Sequence, residues 1–102
     1  MPFVLRHSAT GTLLACRQTN GYELDYYGIL LWEEAPPLQE TAKALARSGA
    51  EASDMVGERG GWAIVELSEH EAKMANVKLR NDPRRIVYYR DGQLGAASAP
   101  DS

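Results

Sequence analysis

Two short apolar runs, FVLRH (3–7) and TLLACRQ (12–18), flank Ser8-Ala9-Thr10-Gly11 and predict a β-hairpin, with Gly11 free to take the positive φ that such a loop uses. A loop over 8–11 pairs residue 7 with 12, 5 with 14 and 3 with 16. By the two-residue period of a strand, Phe3, Leu5, Leu14 and Cys16 then share one face. A three-residue loop with a bulge at Gly11 is the alternative register, and it sets Val4 opposite Cys16.

After a turn at Asn20-Gly21 comes YELDYYGILLWEE, whose second half, YGILLWE (27–33), is apolar on both faces and predicts a central strand. Pro36-Pro37 ends it. LQETAKALARSG then predicts a helix with Leu38, Ala42, Leu45 and Ala46 at helical spacing, a narrow stripe suited to a surface position. The glycine-rich stretch 49–61 shows no sustained period and predicts a loop, the best candidate for mobility, with one extra helical turn around Ser53–Val56.

WAIVELS (62–68) predicts a fourth strand. Ser68 followed three residues later by Glu71 is a capping-box pattern that starts a helix over 69–80, closed near Asn81-Asp82-Pro83. At about 100° per residue the apolar positions of this helix fall on two opposite stripes: His70, Met74 and Val77, and Ala72, Ala75 and Leu79. A helix covered on one side needs one stripe, so the second implies a further element or another subunit, and a homodimer is expected on this ground. RRIVYYR (84–90) predicts a fifth strand, closed by Asp91-Gly92, and residues 93–102 are expected to be a frayed tail.

The resulting order, β-β-β-α-β-α-β, predicts an α+β fold: one domain over 1–92, a mostly antiparallel sheet and two helices packed on one face. A chain of 102 residues with 44% hydrophobic content suits a single core, and it is too apolar for a disordered chain. No apolar run reaches the roughly 20 residues of a membrane span, and MPFVLRHS lacks the character of a secretory leader; the expected compartment is the cytoplasm. The single cysteine, Cys16, agrees with a reducing compartment.

The net charge of −3 conceals a segregation: residues 21–71 hold eleven acids against three bases, whereas 73–90 hold six bases against Asp82 alone. That asymmetry points to an anionic partner, or to an acidic face meeting a basic one within a fold or oligomer. The basic segment KLRNDPRRIVYYR (78–90) makes Lys78, Arg80, Arg84, Arg85 and Arg90 candidates for binding nucleic acid or a phosphorylated ligand. In a strand, however, Arg84 and Arg90 point one way and Arg85 the other, so the basic groups divide between two faces. The structural alternative is a helix end, an Asx-Pro turn and an edge strand guarded by arginines.

Other chemistry is thinner. His7, His70 and Cys16 lack the spacing and number of a zinc site, and no cofactor is expected. Cys16 with His7 is the one pair that the hairpin could bring together for nucleophilic catalysis, but the thiol sits in an apolar strand. The pairs Glu33-Glu34 and Glu69/Glu71 have nothing to separate their acidities, and GERGG (57–61) lacks the Lys-Ser/Thr and following helix of a phosphate loop. Tyr22, Tyr26, Tyr27 and Trp32 offer contact area with polar handles and, with His70, Met74 and Val77, form the expected interface. The sequence therefore leads to a non-enzymatic interaction module that binds a protein partner or itself, with nucleic-acid binding as the alternative.

Overall fold

A computed structural model of the protein describes residues 1–19, 21–48 and 61–98. The first turn forms as its loop chemistry dictates. His7 donates its backbone N–H to the Thr12 carbonyl at 2.8 Å and Leu14 donates to Leu5 at 2.9 Å, which fixes the 7–12, 5–14 register. Gly11 takes φ +80° at the turn.

Beyond Leu14 the expected register ends. The first strand, β1 (Phe3–His7), pairs antiparallel along its other side with β4 (Trp62–Glu66), and Phe3 bridges Trp32 in place of Cys16. The chain leaves β1 at this point because β2 (Ala15–Thr19) forms its own antiparallel ribbon with β3 (Asp25–Ile29). The central strand thus starts two residues before the predicted 27–33, and its pairing continues past Ile29 through Leu30 N–H to Leu14 and Trp32 N–H to Phe3.

A third ribbon joins β5 (Arg85–Arg90) to β6 (Gln93–Ser98). Residues 93–98 are therefore a sixth strand and not the predicted tail; residues 99–102 lie outside the described residues, as does the predicted loop and extra turn over 49–60. Asp91 and Gly92 both have positive φ, the two-residue hairpin loop whose twist matches its strands. β5 is consequently no guarded edge: Leu13 N–H donates to Val87 O and Tyr89 N–H to Gly11 O on the side away from β6. Residues 11–14 lie between β1 and β5 and stitch the ribbons together.

The α+β class, the single domain and the antiparallel pairing are as the sequence predicts. The helices, α1 (Leu38–Ser48) and α2 (Glu69–Leu79), depart from the expectation because they take opposite faces. Val4, Leu13, Ile29 and Val87 cluster with Ala75 and Leu79 of α2, while Leu5, Leu14, Cys16 and Leu30 cluster with Ala44 and Leu45 of α1 and with Trp62. Consecutive residues of a strand point to opposite faces, so the adjacent apolar pairs 4/5, 13/14 and 29/30 each supply both cores. A sheet apolar on both sides cannot leave one face to water.

The buried stripe of α1 is also shifted. Thr41, Ala44 and Leu45 are buried, whereas Leu38 is 65% exposed and Ala42 and Ala46 face solvent. Thr41 is admitted to the core because its hydroxyl donates to the Leu38 carbonyl at 2.7 Å, which leaves no unpaired polar group.

Candidate interaction surface

The start of α2 is built by its predicted cap. Ser68 Oγ accepts the Glu71 N–H at 3.0 Å, and Glu71 Oε1 accepts the Ser68 N–H at 2.9 Å, so two otherwise orphaned donors are satisfied reciprocally. The second oxygen of Glu71 accepts the Tyr89 hydroxyl at 2.9 Å, tying the helix to β5. The Ser68 backbone N–H, then the Tyr89 hydroxyl, hold the Glu71 carboxyl below the usual carboxylate range. The same hydrogen bond from Tyr89 to Glu71 pushes the Tyr89 phenol up, because losing its proton would set an anion against the carboxylate.

At the other end Arg80 adopts a left-handed conformation, with its N–H donating to the Asn76 carbonyl, and Arg85 Nε donates to the Lys78 carbonyl at 2.9 Å. Two carboxamides face β3, Asn76 on the flank of α2 and Asn81 in the turn just beyond its end. Asn76 Oδ1 accepts the Ile29 N–H at 2.9 Å and Asn81 Oδ1 accepts the Tyr27 N–H, occupying the acceptor positions that another strand would supply. We expect Asn76→Ala to cost about 1–3 kcal/mol, the penalty of an unsatisfied buried donor. Asn76→Asp, which keeps an acceptor there, should recover most of that loss in urea unfolding.

Of the two apolar stripes on α2, one is core: Ala72, Ala75 and Leu79 are buried. The other is outside it. His70 is exposed, Met74 is half-buried and Val77 is 54% exposed. These three residues remain together on one continuous surface of the helix.

The tyrosine-rich set does not stay together. Tyr22 is exposed in the β2–β3 turn, and the Tyr26 hydroxyl donates to Gln18 at 3.0 Å. Tyr27 packs against the core beneath α2, where burial, aided by nearby Cys16, raises its phenol. Trp32 packs against the α1 core instead. Two of the four thus pack, half-buried, against cores on opposite faces of the sheet.

The basic set is similarly divided. Arg85 is half-buried on the helix end, while Arg90 donates Nε to the Thr10 carbonyl at 2.7 Å and stacks 4.2 Å from the Tyr88 ring centre. Lys78, Arg80 and Arg84 gather near the end of α2 and the following turn, at the opposite end of β5 from Arg90. Asp82 sits among them, its carboxylate accepting the Arg84 backbone N–H at 2.9 Å.

Cys16 and His7 have separate partners. The Cys16 thiol is buried and accepts a long hydrogen bond from Arg47 Nη2, at 3.8 Å, whereas the His7 ring meets Trp62 edge-on at 5.1 Å. Among the described residues no three potential metal ligands gather, and no helix is long and apolar enough to cross a membrane.

Trp62 as a site residue and β6 both lie outside the sequence-based expectations. Trp62 is 8% exposed, its Nε1 is buried with no hydrogen-bond acceptor among the described residues, and it borders an open cleft of about 240 Å³ where β2 diverges from β5. No local pattern marks it. For β6 a signal was present: Asp91-Gly92 is a strong two-residue hairpin signature, and Leu94 and Ala96 repeat with strand period after it. No protein-family model, no curated protein and no solved structure matches this chain.

Proposed function

We propose that the protein is a small, non-enzymatic interaction module that self-associates through α2. The observation carrying this reading is the second stripe of the helix: Val77 is 54% exposed beside half-buried Met74, while the opposite stripe already satisfies the core. Burying one such side chain contributes about 1.5–3 kcal/mol, and a two-fold arrangement counts each contact twice. Tyr22 and His70 belong to the outer parts of the same module rather than to its core.

Anion binding by residues 78–90 is the weaker reading. Arg85 and Arg90 already hold backbone carbonyls, and Asp82 lies within the remaining cationic group. A labelled oligonucleotide titrated at two salt concentrations separates the readings, because phosphate contacts weaken steeply with salt. Binding at low salt that disappears at high salt would favour the nucleic-acid alternative.

The direct test is Val77→Asp. The residue is on the helix surface, and valine and aspartate have similar helix propensities, so unfolding free energy should change by no more than about 0.5 kcal/mol. The dissociation constant from sedimentation should rise by at least about tenfold, since two carboxylates would be brought into an apolar contact. A monomeric natural chain at about 100 μM would remove the basis for self-association.

A further inference from the structure

We propose that the second copy docks on the edge of β6 away from β5, giving a two-fold dimer in which β6 pairs antiparallel with its counterpart around Ala96 and α2 packs antiparallel on its counterpart around Met74. This names the partner and geometry of the self-association proposed above, and rests on that reading.

The pairing pattern gives the edge its direction. Val87 O and Tyr89 N–H bond to residues 13 and 11, so both β5 residues turn their backbone groups away from β6. Their register partners, Ala96 and Leu94, must then turn theirs away from β5, and Ser98 follows by alternation. Among the described residues no backbone group meets this row. The strand is QLGAAS, without a charge or a proline, whereas edge strands ordinarily carry such guards against pairing. The other strands under α2 are covered: β3 by Asn76 and Asn81, and β5 by residues 11–13.

The helix is aligned with the same centre. Glu71 is anchored at Tyr89, whose register partner is Leu94, and Lys78 is anchored at Arg85, whose partner is Ser98. Met74, between the two anchors, is therefore level with Ala96. Asn76 follows buried Ala75 and reaches β3, so Met74, which precedes Ala75, projects from the opposite flank, toward β6.

Glu71, Met74 and Lys78, all half-buried, share that flank at i, i+3 and i+7. An acid, an apolar residue and a base in this order are complementary to their own reversed copy. A two-fold axis at Ala96 and Met74 sets Met74 against Met74 and each Glu71 toward the other chain's Lys78. It also lets the outward groups of Leu94, Ala96 and Ser98 all find partners, because Leu94 falls opposite Ser98. The order of charges along α2 thus specifies an antiparallel second copy more closely than an unrelated chain.

The test is sedimentation of the full chain at about 100 μM, comparing the natural protein with Ala96→Pro. Proline deletes an outward N–H that no bond among the described residues uses, and edge positions tolerate it. The expected result is a dimer for the natural chain and a dissociation constant at least about tenfold higher for a folded variant. A folded variant that dimerises as tightly as the natural chain would overturn edge pairing and leave the self-association reading standing; a monomeric natural chain would overturn both. Should the variant not fold, hydrogen exchange of the natural protein decides: the Leu94 and Ala96 amides should be protected in the dimer and lose protection on dilution. Rapid exchange of both amides while the dimer persists would overturn the proposal.

Discussion

Leu13→Ala and Leu14→Ala should each destabilise the protein by about 2–5 kcal/mol, although the two residues are neighbours in one strand-like segment. On a sheet with one wet face, truncating the residue on that face would cost little. Here Leu13 is 2% exposed in the cluster under α2, and Leu14 is 4% exposed in the cluster under α1. Each deletion removes the transfer free energy of its methyl-bearing carbons and leaves a cavity that the packed neighbours fill only in part. Because the losses arise in separate cores, they should add approximately in the double variant, which is expected to be largely unfolded at room temperature given the usual margin of about 5–15 kcal/mol. Urea unfolding of the two single variants is the measurement. A loss below about 1 kcal/mol for either would contradict a sheet covered on both sides.

Gly11→Ala should cost about 2–4 kcal/mol, more than the same change at Gly92. Both glycines have positive φ, +80° and +75°, so both substitutions carry the conformational penalty of a side chain in left-handed backbone, roughly 1–2 kcal/mol. They differ in surroundings. A Cβ at Gly11 would lie 2.8 Å from Arg90 Cγ and 3.0 Å from the Tyr89 carbonyl oxygen, whereas one at Gly92 meets nothing within 4 Å. The Tyr89 carbonyl cannot easily retreat, since it also accepts Arg6 Nε at 2.6 Å, and Tyr89 N–H is bonded to the Gly11 carbonyl. Gly11 is thus the point where the first turn rests against β5, and a methyl group there pushes the ribbons apart. Equal losses at the two positions in thermal or urea unfolding would show that the close approach contributes nothing.

The proposed interaction surface is partly legible in the sequence. The two stripes of α2 follow from spacing alone, and Ser68 with Glu71 marks where the helix begins, because capping is satisfied by residues three apart. The tyrosine-rich and basic segments looked like surfaces for the opposite reason: sequence places residues side by side that the fold turns to different faces. Tyr27 and Trp32 are five positions apart in the chain and pack in different cores, and Arg85 is bound to the end of a helix seven residues before it.

Local chemistry determined the α+β class, the antiparallel hairpins, the cap of α2 and the burial of Cys16, since each depends on residues within a turn or on the period of one element. The tertiary structure decided which strands meet, that α1 and α2 lie on opposite faces, and that Asn76 and Asn81 close β3 while, among the described residues, no strand pairs with the outer side of β6. The adjacent apolar pairs 4/5, 13/14 and 29/30 carried the information that both faces need cover, but not which helix covers which. That choice is made only when the whole chain packs, because hydrophobic burial is non-directional and pairing between distant segments is settled by the set of contacts that can be satisfied together.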